Sequence, residues 1–388
     1  MIYRNFQDKK LSGLGLGMMR LPVVNSDDAV VDEVAAAEMI DYAYQNGINY
    51  FDTAWGYHNG NSELVAGKCL SRYPRESYYL ATKFPGYDPA NMNKVEEIFE
   101  AQLEKCQTPY FDFYLFHNVY EGNIDDYLNP KFGIMDYLLK QKANGRICHL
   151  GFSAHGSVEV IRRFLDAYGE QMEFCQLQLN YMDWHFQGAE EKVKLIWEAG
   201  IPIWVMEPLR GGFLANVPRE VSEVFSEGER CGFRRTPAEW AFDFLWDLPE
   251  VGVVLSGMST PEQVAENISY AERSAPGMLS EAEHQILKKA YRQFLNYNAV
   301  PCTGCAYCMH CPKGIAIPQS IAAYNEAFKE HNYKKAKKQY EEWVPLFGAK
   351  PSACISCRQC EAICPQQLEV SKWMHEIDSF FTKESGRA

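Results

Sequence analysis

The chain has no run of eighteen or more uninterrupted apolar residues, so no segment of it is fit to cross a bilayer as a helix. Its first residues, Met1-Ile-Tyr-Arg-Asn-Phe-Gln-Asp-Lys-Lys, lack the apolar core of a secretory signal, and a cytoplasmic location is expected. Positive charge is also scarce. Lysine and arginine total 38 against 51 aspartates and glutamates, a net charge of −13. Nucleic acid is therefore not an expected partner, because a phosphate backbone needs local positive charge. No G-x-G-x-x-G turn opens a first helix, which argues against a doubly wound dinucleotide fold.

Cysteine is abundant by contrast. Eight of the 13 cysteines lie in two runs near the C-terminus. The first reads Cys302-Thr-Gly-Cys305-Ala-Tyr-Cys308-Met-His-Cys311-Pro312, and the second Cys354-Ile-Ser-Cys357-Arg-Gln-Cys360-Glu-Ala-Ile-Cys364-Pro365. C-x2-C-x2-C gathers three thiolates around one small volume, and a distant Cys-Pro completes the other cube in two-cluster ferredoxins. Zinc prefers pairs of C-x2-C to triplets, and disulfides require an oxidising compartment. Two 4Fe-4S clusters are predicted. Under the ferredoxin exchange, Cys302, Cys305, Cys308 and Cys364 hold one, and Cys354, Cys357, Cys360 and Cys311 the other. The spacing of two between Cys308 and Cys311 departs from the bacterial pattern of three. The remaining cysteines (Cys69, Cys106, Cys148, Cys175, Cys231) read as reduced core residues.

Upstream of the runs, short apolar stretches alternate with amphipathic ones. Strands are predicted at 14–21, 50–53, 79–83, 113–117, 148–153, 175–180, 203–207 and 252–257. Helical patterns at 35–45, 94–106, 132–144, 158–167, 189–199 and 261–271 fall between them. Strands buried on both faces and alternating with helices form parallel sheet, and eight such units predict a (β/α)8 barrel. The expected division is a barrel over 1–275 and a smaller, mainly helical iron–sulfur domain over 276–388.

Barrel chemistry sits at the C-terminal ends of the strands. Those ends carry Asp52 and Tyr57, then Lys83, then His117. A phenol has a pKa of about 10, and a neighbouring ammonium favours its ionised form. Asp52 would hold Lys83, Lys83 would tune Tyr57 as a general acid, and His117 would orient a substrate oxygen. Taken singly, each of these residues is more often a structural ion pair or a packing side chain.

Asp52-Thr-Ala-Trp-Gly-Tyr57, followed by a strand-end lysine and a strand-end histidine, resembles the tetrad of the aldo-keto reductase superfamily. Gly151-Phe-Ser153, Gln176-Leu-Gln-Leu-Asn180, Glu207-Pro208-Leu209 and Thr260-Pro-Glu-Gln263-Val-Ala-Glu266-Asn267 are similar to that family's cofactor segments. With its cysteine tail, the chain resembles a bacterial and archaeal branch of the superfamily. The resemblance implies carbonyl reduction with NAD(P)H. Ser153 and Gln176 would meet the carboxamide and Met206 the ring, Pro208 and Leu209 would border the cofactor, and Arg210, Gly211 and Gly212 would form a loop suited to the pyrophosphate. Gly257, Gln263, Glu266 and Asn267 would lie at the adenosine end. Ala154 replaces a common asparagine. Gly257, Met258 and Gln263 are not cationic where the family grips a 2′-phosphate, so little NADPH preference is expected.

Hydride carries two electrons and a cluster carries one, so a flavin would join them naturally, yet no flavin motif is visible. The clusters are thus read as structural or as a relay. The alternative to hydride reduction is an electron-transfer reductase fed by a ferredoxin-like donor. Lys334, Lys335, Lys337 and Lys338 offer such a donor a basic face, though such a run is more often a solvated helix surface. Trp55, Trp184, Phe186 and Phe213 are candidate pocket aromatics.

Overall fold

The computed structural model describes residues 1–186, 188–297, 299–302, 304, 307–309, 311–328 and 333–383. Eight parallel strands close into a barrel: β3 (Leu14–Gly17), β4 (Tyr50–Asp52), β5 (Tyr79–Phe84), β6 (Phe111–Val119), β7 (Ile147–Ala154), β8 (Phe174–Gln178), β9 (Ile203–Met206) and β10 (Val251–Ser256), with β10 pairing back onto β3. A helix follows each strand, from Glu33–Gln45 after β3 to Pro261–Ala271 after β10. Apolar, largely β-branched or aromatic runs are what a strand covered on both faces requires. Capping is local: the Asp32 side chain accepts from Ala35 N, and Thr260 from Gln263 N, before Pro261 at the first helical position.

A hairpin, β1 (Tyr3–Phe6) with β2 (Lys9–Ser12), precedes the barrel and is an element that the sequence patterning did not anticipate. It closes the N-terminal end of the barrel. Phe6 and Leu11 enter a core with Tyr50, Phe113, Phe174 and Trp204, and the Phe6 ring lies 5.0 Å from that of Trp204. Packing this dense answers to single atoms. At Gly67 a Cβ would sit 2.3 Å from Lys105 O, a backbone atom that cannot swing aside. Gly67→Ala is expected to cost about 1–3 kcal/mol of stability, read as a lowered urea midpoint; an unchanged midpoint would show that the helix contact is slack.

The chain forms two compact units. One comprises Met1–Leu209 with Glu239–Ser280, the other Arg210–Ala238 with Glu281–Ala388. The division near 280 lies close to the linear boundary read at 275/276. The segment Arg210–Ala238, which follows β9, packs with the C-terminal helices, an arrangement that a linear boundary cannot express. Its helix Arg219–Arg230 lies along Glu281–Tyr297, joined by a Lys289–Glu227 ion pair. Among the described residues no helix is long and apolar enough to cross a membrane. Cys69, Cys106 and Cys175 are buried as expected, whereas Cys148 is half-buried and Cys231 exposed, at the end of an amphipathic surface helix.

Candidate functional site

The parallel register brings three strand ends to one rim. β4 ends on Asp52, Lys83 stands near the end of β5, and His117 near that of β6. The Lys83 ammonium is only 1% exposed and has three protons to place. It donates to Asp52 Oδ1 at 2.7 Å, to Thr53 O at 2.8 Å and to the Tyr57 hydroxyl at 3.5 Å. Burial lowers the pKa of Lys83 and raises that of Asp52, and each charge opposes the shift in the other.

Tyr57 is half-buried in the turn after β4. The next two residues, His58 and Asn59, hold left-handed φ values of +51° and +53°. The buried His58 ring secures this turn. Its Nε2 accepts from Leu21 N at 3.1 Å, so Nδ1 carries the proton and donates to Asp28 O at 2.9 Å.

His117 is re-aimed by a bulge. The β6–β7 register shifts between Phe116 and Val119, and Asn118 takes φ +58°. The displaced Asn118 N–H is satisfied by Ser153 Oγ at 2.7 Å. The imidazole meets the rings of Tyr57 and Tyr87 edge-on, with centroids at 6.1 and 5.1 Å. Burial, reinforced by the Lys83 charge, pushes its pKa well below the ordinary value. The ring is therefore neutral at pH 7 and suited to orient an oxygen by hydrogen bonding.

A second layer holds Lys83. Glu63 is fully buried, and its Oε1 accepts from Thr82 Oγ1 and Gln102 Nε2, both at 2.7 Å. Gln102 also donates to Lys83 O at 3.0 Å, and its own Oε1 accepts from Tyr114 OH at 2.7 Å. The Glu63 charge favours the ammonium form of Lys83. None of Glu63, Gln102, Tyr87 and His58 was singled out from the sequence. Glu63 and Gln102 sit on helix faces otherwise apolar, and that misfit was the available signal.

Of the segments expected to hold a nucleotide, Ser153 and Gln176 are buried on neighbouring strands, β7 and β8. The Gln176 amide supports the charged form of Asp52 from across the barrel. Among the described residues, His117 Nδ1, Asn118 Oδ1 and Gln176 Oε1 are buried with no hydrogen-bond partner. Such orphans are rare in folded proteins and fit a polar ligand at the mouth. Met206 ends β9 half-buried. At the other end, Asn267 donates to Ser256 Oγ at 3.1 Å, Gln263 accepts from Ser259 N at 2.8 Å, and Glu266 accepts from Tyr270 OH. Arg20, from the turn after β3, lays its stem over Gly257. A cation thus stands at an end read from sequence as lacking one. Pro208 and Leu209 close the first unit, while Arg210, Gly211 and Gly212 belong to the second, where the Arg210 fork bonds Pro301 O and Gln366 Oε1.

Three of the four candidate pocket aromatics have other partners, and the side chain of the fourth, Phe186, lies outside what the structure describes. Trp55 stacks under Lys105 at 3.8 Å, Trp184 meets Phe244 at 5.6 Å, and Phe213 meets Phe294 at 5.0 Å.

In the second unit Cys305 falls outside the described residues. The other seven cysteines of the two runs are half-buried or exposed, as ligands awaiting inorganic partners would be. Burial and then Glu361 raise the Cys360 thiol, and Cys311 and Cys354 add to the shift, which reaches about 11. One cysteine of each run, Cys311 and Cys354, thus influences Cys360, while among the described residues no three His, Cys, Asp or Glu side chains are grouped closely enough to hold a metal ion. The turn around Cys302 directs the Gly304 N–H at its sulfur, 3.4 Å away, with Gly304 at φ +70°. Ser356 and Arg358 flank Cys357 at φ +54° and +58°, local strain of the kind kept at ligand sites. Of the lysine face, Lys335, Lys337 and Lys338 pair with Glu326, Glu341 and Glu342, which leaves it little net charge.

A closed parallel barrel with acid–base residues on its C-terminal rim, joined to a cysteine-rich helical unit, defines an oxidoreductase. The chain belongs to the Aldo/keto reductase family, which matches residues 13–292, and carries a 4Fe-4S dicluster domain matched over 301–369. It is similar to the NADH-specific methylglyoxal reductase of Escherichia coli (strain K12), 26% identical over 305 residues, covering 68% of this chain and 90% of that protein. It is similar also to L-galactose dehydrogenase of Arabidopsis thaliana, 26% identical over 302 residues, covering 71% of this chain and 90% of that one. Among solved structures, aldo-keto reductase AKR11C1 from Bacillus halodurans (holo form) superposes with a TM-score of 0.61 at 26% identity, covering 75% of this chain and 96% of that one.

Proposed function

We propose that the barrel reduces a small aldehyde or ketone at the expense of a reduced nicotinamide, with Tyr57 as the proton donor. The observation that carries this reading is the Lys83 ammonium, buried and bonded to both Asp52 and the Tyr57 hydroxyl. A nicotinamide held in the mouth would supply the hydride that the carbonyl carbon receives. Tyr57 delivers its proton to the carbonyl oxygen as negative charge develops there. Lys83 stabilises the phenolate left behind, and Asp52 keeps Lys83 in place. Neutral His117 hydrogen-bonds the same oxygen and orients it. Ser153 and Gln176 meet the carboxamide, Met206 the ring, and Gly257, Gln263, Glu266 and Asn267 the adenosine end.

In the second unit, Cys302, Cys305, Cys308 and Cys364 hold one 4Fe-4S cluster, and Cys311, Cys354, Cys357 and Cys360 the other. The clusters supply one-electron capacity or brace the unit. Neutralised lysines give the donor-fed alternative little support.

NADH is the expected reductant, since a relative of 26% identity is named as NADH-specific and Gly257, Met258 and Gln263 carry no charge; Arg20, whose stem covers Gly257, is the cation that would hold a 2′-phosphate if NADPH were preferred. The test uses anaerobically purified protein, deuterated NADH and methylglyoxal. Deuterium should appear on the carbonyl carbon, and NADPH should bind no more than about tenfold tighter than NADH, a gap of about 1.4 kcal/mol. Selective, tight NADPH binding would reject the nucleotide assignment, and absence of deuterium in the product would reject the reaction.

A further inference from the structure

Arg210 opens the segment that follows β9, and the charge of its side chain is buried at 2% exposure. Its Nη2 donates to Pro301 O at 3.0 Å and to Gln366 Oε1 at 2.8 Å. Pro301 immediately precedes Cys302, and Gln366 lies two residues past Cys364. These two cysteines come from opposite ends of the iron–sulfur region, yet the pairing proposed above assigns them to one cluster. A single nitrogen thus ties together the two backbone stretches that must converge on it. Each stretch also has a local brace. Val300 exchanges hydrogen bonds with Asn325, at 2.9 and 2.6 Å, and the turn after Cys364 closes through Gln367 N to Cys364 O at 2.9 Å. Beside the tie lies a cavity of about 400 Å³ lined by Arg210, Gly211, Gly212, Phe213, Cys302 and Gly304. Gly211 and Gly212 hold left-handed φ values of +67° and +91°, which glycine adopts without strain.

We infer that Arg210 is a positioning residue for the cluster of Cys302 and Cys364, not a ligand of the nucleotide pyrophosphate. Two physical effects follow. Nη2, carried on a rigid planar guanidinium, fixes the separation of the two ligand-bearing segments, and a lysine ammonium on its flexible stem would hold that separation less firmly. A buried positive charge also favours the more negative, reduced cluster, because cluster potentials respond to nearby charge and hydrogen bonding. The inference rests on the ligand pairing proposed above.

The test is carried out on full-length, anaerobically reconstituted protein. Iron per chain is measured, and each cluster signal is followed by electron paramagnetic resonance during a dithionite titration. Arg210→Met is expected to move one of the two signals to a more negative potential, or to remove it together with half the iron, with NADH affinity unchanged. Arg210→Lys should restore the charge-dependent part of the shift without full iron retention, and circular dichroism confirms that each variant is folded. Unchanged iron and unchanged potentials in Arg210→Met would overturn the assignment. So would weakened NADH binding with both clusters intact, which would return Arg210 to the pyrophosphate. Cys302→Ala and Cys364→Ala separate this failure from failure of the pairing. If they abolish different signals, the pairing itself is wrong; if they abolish the same signal and Arg210→Met spares it, only the positioning role falls.

Discussion

Tyr57→Phe is expected to lower carbonyl turnover by about 10²–10⁴-fold, the usual worth of a positioned general acid, while NADH affinity stays within twofold or so of the parent. The change removes one oxygen and little else. The phenyl ring keeps its edge-on contact with His117, whose centroid lies 6.1 Å away, and its place beside Lys83, whose Nζ is 5.0 Å from the ring centre. Lys83 retains Asp52 and Thr53 O as acceptors, so its charge is not stranded. The loss should therefore fall on kcat. His117 cannot substitute as the acid, because burial beside Lys83 holds its pKa well below the ordinary value and leaves no imidazolium to donate at neutral pH. A stopped-flow binding trace and a single-turnover rate separate the two quantities. Turnover within tenfold of the parent would remove Tyr57 from the acid role.

The barrel was legible because strands covered on both faces announce themselves as apolar runs, and because Asp52, Lys83 and His117 are polar residues where such runs end. The hairpin Tyr3–Phe6 with Lys9–Ser12 was not, since four-residue strands with mixed exposure carry almost no pattern. The bulge that aims His117 was equally hidden: Phe-His-Asn-Val reads as a regular strand, and only the register shift and the φ of Asn118 disclose it. Cysteine spacing proposes most of the ligand set for each cluster from residues close in sequence. Spacing carries no information about distant partners. The contacts of Arg20 with Gly257 and of Arg210 with Gln366 join residues more than 150 positions apart. Local context therefore cannot disclose what either arginine touches.

Lys83→Met should be the most damaging single change in the barrel, and for two separable reasons. Catalytically it removes the charge that stabilises the Tyr57 phenolate. Structurally it strands Asp52, whose side chain is 4% exposed, without the counter-ion 2.7 Å away. Removing one partner of a buried pair typically costs about 3–5 kcal/mol. The penalty has a pH signature. Burial already raises the Asp52 pKa, and Lys83 is the main force opposing that rise. Without Lys83 the folded state holds the Asp52 proton more tightly than the unfolded state does. Stability must then fall as pH rises above the unfolded carboxyl value of about 3.9. Urea midpoints for Lys83→Met should accordingly be higher at pH 5 than at pH 8, relative to the parent at each pH. Adding Asp52→Asn removes the stranded charge, so the double variant should recover most of the stability and lose the pH dependence, yet remain inactive. Recovery of both stability and turnover would mean that the pair is a structural brace with no part in proton transfer. A Lys83→Met variant that is inactive but as stable as the parent at pH 8 would mean that water reaches Asp52 and shields it.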